Sequence, residues 1–203
     1  ILLTPDDLVR MMGSENPLAS LLEQVDLAAI SPFVTEGPVP PSMFFGRESE
    51  LREVLYRLEH SNLALVGPHR IGKTSLLQRS LEALRRSELA VFYLDCHSLA
   101  RGSDFLLHLA SEHLSDWEPR MSFPAILMEL QHRHDGRQAL LILDEIDPLL
   151  TNDQANSEFL ARAFRQAASE GKARFLLAGD SSLHQRLHQA ESAFCNLAYP
   201  VKL

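Results

Sequence analysis

An α/β protein built on a parallel sheet is the fold class that this sequence predicts. Two observations carry the expectation. Short apolar runs alternate along the chain with stretches in which apolar residues recur at helical spacing. The runs are also apolar at successive positions, as in "LALV", "AVFYL", "ALLIL" and "FLLA", rather than at every other one. A strand of that kind buries both faces, which is the situation of a parallel sheet between two layers of helices. The chain has 203 residues, 45% of them apolar and 23% charged, so it can build an ordinary core of one large domain or of one domain with an appendage.

Taken in order, residues 4–25 predict two short helices, the first capped by Thr4 and the second opened by Asn16 and Pro17. Pro32, Pro38, Pro40 and Pro41 then forbid a helix and favour an extended linker. This divides the chain into a helical segment at 1–30, read as the end of an upstream domain, a proline-rich linker at 31–43 and a core at 44–203. Leu51, Val54, Leu55 and Leu58 follow the i, i+3, i+4, i+7 pattern and predict a helix over 47–60. Strands are expected at 62–67, 89–95, 139–145 and 173–179, with a fifth at the terminal "YPVKL". Helices are expected over 73–85, 104–114, 123–134, 155–169 and 182–190. In the helix 155–169, Phe159, Leu160, Ala163, Phe164 and Ala167 are expected to face inward.

The first strand runs into "GPHRIGKTS", residues 67–75. Gly67-x-x-x-x-Gly72-Lys73-Thr74 is the P-loop, or Walker A, pattern. Its glycines allow the tight bend that turns successive N–H groups toward one centre, and the loop feeds a helix N-terminus whose partial positive charge favours an anion. Gly67, Pro68, His69, Arg70, Ile71, Gly72, Lys73, Thr74 and Ser75 are therefore the expected cradle for the phosphates of a nucleotide. Lys73 is expected to reach the β- and γ-phosphates, and the Thr74 hydroxyl to ligate Mg²⁺.

A metal-bound triphosphate also needs a carboxylate for the metal and a group that positions or activates water. "LLILDEID", residues 140–147, supplies both at the C-terminal end of a buried strand, where ligands bind in such sheets. Asp144 is assigned to Mg²⁺ and Glu145 to water activation, in the manner of a Walker B motif. A third loop, after the strand 173–179, carries Gly179, Asp180, Ser181 and Ser182 and can approach the same place.

Composition excludes several other classes. The net charge is −8, with ten acids and four bases in residues 1–60 and seventeen acids and fifteen bases in residues 61–203. Neither part has the basic footprint of a nucleic-acid binder. No run of 18 apolar residues occurs, and the acidic start "ILLTPDDLVRMM" is unlike a signal peptide. Cys96 and Cys195 are read as reduced thiols of a cytoplasmic protein. His132 and His134 stand two apart on a helix and do not share a face, so the nine histidines do not point to zinc. No Gly-x-Ser-x-Gly occurs to start serine-hydrolase chemistry, and no Asn-Lys-x-Asp to select guanine. Trp117 and Phe123 are read as core or helix-boundary residues. A start at Ile1 and an end directly after "YPVKL" lead to the expectation that the chain is a segment of a longer protein.

"FFGRESELREVL", "GPHRIGKTSLL" and "LLILDEIDPLL" together resemble the AAA+-related signal-transduction ATPases called STAND proteins and the archaeal-type ATPases near them. The resemblance covers residues 43–203. It implies a P-loop NTPase core, a three-layer α/β/α arrangement on a parallel five-stranded sheet of order 5-1-4-3-2, truncated before a lid domain. It implies that the Gly46–Glu48 turn lies over adenine and ribose, with Arg47 as a base-contacting residue. Such families often place a small hydroxyl or amide residue where this chain has Asp180, whose charge would repel a γ-phosphate; Ser181 and Ser182 are the substitutes. Arg186 is the best-placed candidate for an arginine finger, with Arg162 and Arg165 as rivals.

The function expected on these grounds is Mg²⁺-dependent binding and hydrolysis of ATP, with ATP/ADP and Mg²⁺ as cofactors, in a regulatory module that switches its own flanking effector and sensor domains and assembles into a homo-oligomer at full length. No membrane partner is expected, and nucleic acid is disfavoured for this segment. The alternatives are a nucleotide-holding scaffold with little turnover and a DNA-associated ATPase of the origin-recognition type.

Overall fold

The computed structural model describes residues 46–155 and 158–203. The two short helices and the proline-rich linker lie outside them. The described chain runs α1 (Glu48–Leu58), β1 (Leu63–Val66), α2 (Lys73–Leu84), β2 (Ala90–Asp95), α3 (Gly102–His113), α4 (Phe123–Arg133), β3 (Ala139–Asp144), α5 (Asp147–Ala155), α6 (Phe159–Ser169), β4 (Ala173–Gly179), α7 (Ser181–His188) and β5 (Tyr199–Lys202). The five strands form one sheet of order β2-β3-β4-β1-β5, every pairing parallel. This is the expected order, read from the opposite edge.

Successive residues of the buried strands serve different helical layers, which is why the runs are apolar throughout. Leu140 and Ile142 of β3 join Leu63 and Leu65 of β1 beneath Val54 and Leu58 of α1 and Leu76 and Leu77 of α2. Leu141 and Leu143, one residue out of phase, pack on the other face with Phe105, Phe123, Leu149, Phe164 and Leu183 of α3 to α7. Phe164 is the centre of that layer: its ring stacks on Phe175 of β4 at 4.7 Å and meets Phe105 and Phe123 edge-on or tilted at 5.4 and 5.3 Å.

Two local expectations are corrected. Helix α5 was not foreseen, and the helix expected from residue 155 begins at Phe159. "DPLLTNDQA" has a weak apolar face and several poor helix formers, so no period announces it. It is held instead by its surroundings: Pro148 stands in the first turn, where a missing N–H costs nothing, and Leu149 and Leu150 are buried. Asp153 then accepts the N–H groups of Leu160 and Ala161, at 2.8 and 3.0 Å, and so satisfies the start of α6. Phe159 is 61% exposed rather than inward. The buried face of α6 is centred on Leu160, Ala161, Phe164 and Ala167, and Phe159 lies on the far side of Leu160 from that centre.

Register brings the loops together. Val66 at the end of β1 pairs with Gly179 at the end of β4, and Leu143 near the end of β3 pairs with Leu177. The loops after β1, β3 and β4 therefore leave the same edge of the sheet side by side.

Candidate nucleotide-binding site

The loop between β1 and α2 is shaped by close approach and by left-handed backbone. A Cβ on Gly67 would stand 3.1 Å from Ile71 Cγ2 and 3.2 Å from the Leu203 carbonyl, so a side chain there would crowd both neighbours. Gly72, at φ 98°, is required by conformation, because side chains rarely adopt it. Gly72 is also the N-cap of α2 and makes no side-chain cap, which leaves the helix start open to an outside acceptor. Pro68, His69 and Arg70 are exposed, Ile71 and Thr74 half-buried, and Lys73 and Ser75 buried. The Lys73 ammonium is folded under the loop and donates to the carbonyls of Gly67 and Pro68 at 2.9 and 3.0 Å.

Asp144 ends β3 beneath this loop and is 2% exposed. Oδ1 accepts the Glu145 N–H at 3.0 Å, and Oδ2 accepts the Tyr93 hydroxyl at 3.1 Å. Burial raises the pKa of Asp144, and hydrogen bonds from the hydroxyls of Thr74 and Tyr93 act against that shift. Burial and the Asp144 charge push the Tyr93 phenol upward, so it stays a donor. Thr74 and Asp144 thus offer two oxygen donors at one point, and among the described residues no cationic side chain forms an ion pair with Asp144. A buried carboxylate beside a hydroxyl, with no cation of its own, fits a small hard divalent ion.

Glu145 follows at φ 49°, with its side chain partly exposed. Its Oε2 lies 3.7 Å from His69 Nδ1 of the loop. His69 Nε2 lies 4.0 Å from Asp180 Oδ2 at the end of β4. The loops after β1, β3 and β4 thus meet at His69, Glu145 and Asp180.

Asp180 is the N-cap of α7, its side chain accepting the Ser182 N–H at 2.7 Å. Asp147 ties the same corner together: Oδ2 accepts the Asp180 N–H at 2.9 Å and Oδ1 the Leu183 N–H at 3.1 Å. Burial pushes the Asp147 carboxyl up to about 6, and its hydrogen bond to Asp180 holds the latter low. Gly179 leaves room for this, since a Cβ there would stand 2.7 Å from Asp147 Oδ2.

Arg47 reaches the P-loop from the start of α1. Its guanidinium donates to the Ile71 carbonyl at 3.2 Å and to Glu50 at 3.1 Å. Arg186 is not a free finger. It is 6% exposed, pairs with Glu158, and donates to the Leu150 carbonyl at 3.0 Å. Arg165 is bonded to the carbonyls of Ala193 and Cys195, while Arg162 is exposed. Sequence reasoning missed Tyr93 and the bridging position of Asp147. The only sign of Tyr93 was a hydroxyl two residues before the end of an otherwise apolar strand.

A family model described as an AAA domain matches residues 57–187. The chain belongs to the AAA domain family. Among solved structures, this AAA domain is similar to the Walker-type ATPase of Pyrococcus abyssi, with a TM-score of 0.61 and 21% identity over 85% of this chain and 57% of that one. It is similar to the ORC2 protein of Aeropyrum pernix, solved as ADPNP–ADP complexes, with a TM-score of 0.62 and 19% identity over 85% and 51%. The Cdc6p protein of Pyrobaculum aerophilum gives 0.57 and 17% over 87% and 49%. These likenesses establish the fold, that of an AAA-type P-loop ATPase domain, and the chain spans about half the length of each structure. No curated protein matches this AAA domain. Among the described residues no helix is long and apolar enough to cross a membrane.

Proposed function

We propose that this AAA domain binds Mg·ATP and hydrolyses it, and that the cycle switches the domains on either side of it in the manner of a STAND-type regulatory ATPase. The observation that carries the reading is the convergence of the P-loop with Asp144 and Glu145: the Thr74 hydroxyl stands beside Asp144 and lowers its pKa, and Glu145 stands 3.7 Å from His69. In this reading the open N-terminus of α2 and the N–H groups of residues 67–75 hold the phosphates. Lys73 leaves the carbonyls of Gly67 and Pro68 for the β- and γ-oxygens. Thr74 and Asp144 would hold Mg²⁺, which when bound would neutralise charge on the phosphates. Glu145 orients a water for attack and takes its proton. Arg47, hydrogen-bonded to the loop at Ile71, lies beside the base and ribose.

The test is phosphate release from Mg·ATP, wild type beside Glu145→Gln, after nucleotide binding has been measured. Release that disappears in the variant while binding persists supports hydrolysis through Glu145.

A second reading, a scaffold that holds nucleotide with little turnover, is favoured by one observation: the carboxylate of Asp180 stands where such families often carry a neutral polar group. Tight binding without release in either protein would select it. A DNA-associated role, suggested by the fold likeness to the ORC2 and Cdc6p proteins, is opposed by the acidic charge; salt-sensitive binding of duplex DNA would support it.

A further inference from the structure

We infer that His69 is a positioning residue that offsets the two carboxylates beside it, Glu145 and Asp180, and thereby sets the preference of the site for a nucleoside triphosphate over a diphosphate. The inference rests on the nucleotide reading above and adds to it the role of one loop residue. A P-loop binds its ligand mainly through backbone N–H groups, so the side chain at position 69 is free of the cradle's own geometry. Here it faces two acids, Nδ1 at 3.7 Å from Glu145 and Nε2 at 4.0 Å from Asp180. These are ion-pair separations for the protonated ring, longer than hydrogen bonds, so the contribution is electrostatic and is made by the imidazolium form.

The need for such a group follows from the other charges. Asp180 is kept anionic by its hydrogen bond with Asp147, by the Ser182 N–H and by His69 itself. The Lys73 ammonium is turned toward the carbonyls of Gly67 and Pro68, and Arg47 toward Ile71 and Glu50. Among the described residues His69 is the group that forms an ion pair with either acid. A diphosphate ends before the acids matter. A triphosphate brings its last and most highly charged group to the strand tips; Lys73 then turns to the phosphate itself, and the two carboxylates repel that group unless His69 offsets them.

The test is a double-mutant cycle on nucleotide affinity, read by calorimetric titration with Mg·ADP and with a non-hydrolysable Mg·ATP analogue. His69→Ala is expected to weaken the triphosphate analogue about two- to fivefold while Mg·ADP affinity is unchanged. Asp180→Asn in the His69→Ala background is expected to restore most of the triphosphate affinity, and His69→Arg to retain the preference. Equal weakening of both nucleotides by His69→Ala, or no recovery with Asp180→Asn, overturns the assignment and leaves the nucleotide reading standing. Failure of the wild type to bind either nucleotide overturns both.

Discussion

Two corners of this domain bury cations, and they treat them in opposite ways. In the corner formed by α5, α6 and α7, Arg186 is 6% exposed and fully provided for: Glu158, the Ser192 hydroxyl and the Leu150 carbonyl share its donors. Burial acts to raise the Glu158 pKa, but bonds from the Ala193 N–H, Ser192 and Arg186 outweigh it and hold the carboxyl low. At the strand tips, Lys73 is 3% exposed and donates to two neutral carbonyls, while the nearby carboxylates of Asp144 and Asp147 are shifted upward by burial. The closed corner satisfies its charges within the chain. The open corner keeps a cation and an acid apart, each with only neutral hydrogen-bond partners. A buried charge left in that condition is costly to the fold, and its use is to meet a charge from outside.

Arg186→Ala should break the closed corner and give the largest loss of stability, about 3–5 kcal/mol in urea unfolding, because it takes the cation from the Glu158 carboxylate and the donor from the buried Leu150 carbonyl. Lys73→Ala should leave the melting temperature unchanged or higher and cost at least about thirtyfold in Mg·ATP affinity. If both variants lose stability alike, the contrast between the corners is wrong. Glu145→Gln should lower phosphate release about a hundredfold or more while binding stays within about twofold. Tyr93→Phe should raise the Mg²⁺ concentration needed for half-maximal nucleotide binding about tenfold, since it removes the donor that orients Asp144.

The smallest effect concerns Asp147. Its pKa is raised from 3.8 to about 6, so the folded chain binds this proton more tightly than the unfolded chain does. The resulting stabilisation is full below pH 3.8 and fades as pH rises through about 6. Asp147→Asn should therefore flatten the fall in melting temperature over that window, measured by thermal unfolding at a series of pH values.

Much of the fold was legible because it is written in local pattern. The strands at Leu63–Val66, Ala139–Asp144 and Ala173–Gly179 are apolar runs, and α1, α2 and α4 show their buried faces at helical spacing. Helix α5 was not legible, because its order comes from Leu149 and Leu150 in the core and from the capping of its neighbour by Asp153. Phe159 misled because it stands four and eight residues before Ala163 and Ala167, in helical phase with them, while the buried face is centred on Leu160, Ala161, Phe164 and Ala167. In the site, the P-loop, Asp144 and Glu145 were visible as motifs. Arg186 was misjudged, since a helix arginine shows nothing of its burial until Glu158 is brought to it.

By itself, the sequence determined the layered α/β architecture, the phosphate-binding loop and the acidic strand end. Each depends on residues within one element, where spacing alone sets which groups face together. The tertiary structure decided which groups outside the motifs take part. Tyr93 meets Asp144 from 51 positions away, Arg186 meets Glu158 from 28, and Asp180 donates its backbone N–H to Asp147 across 33. The first exists because β2 lies in register beside β3, the second because α7 packs beside the start of α6, and the third because the ends of β3 and β4 lie side by side; no local pattern encodes which side chains those alignments bring within reach.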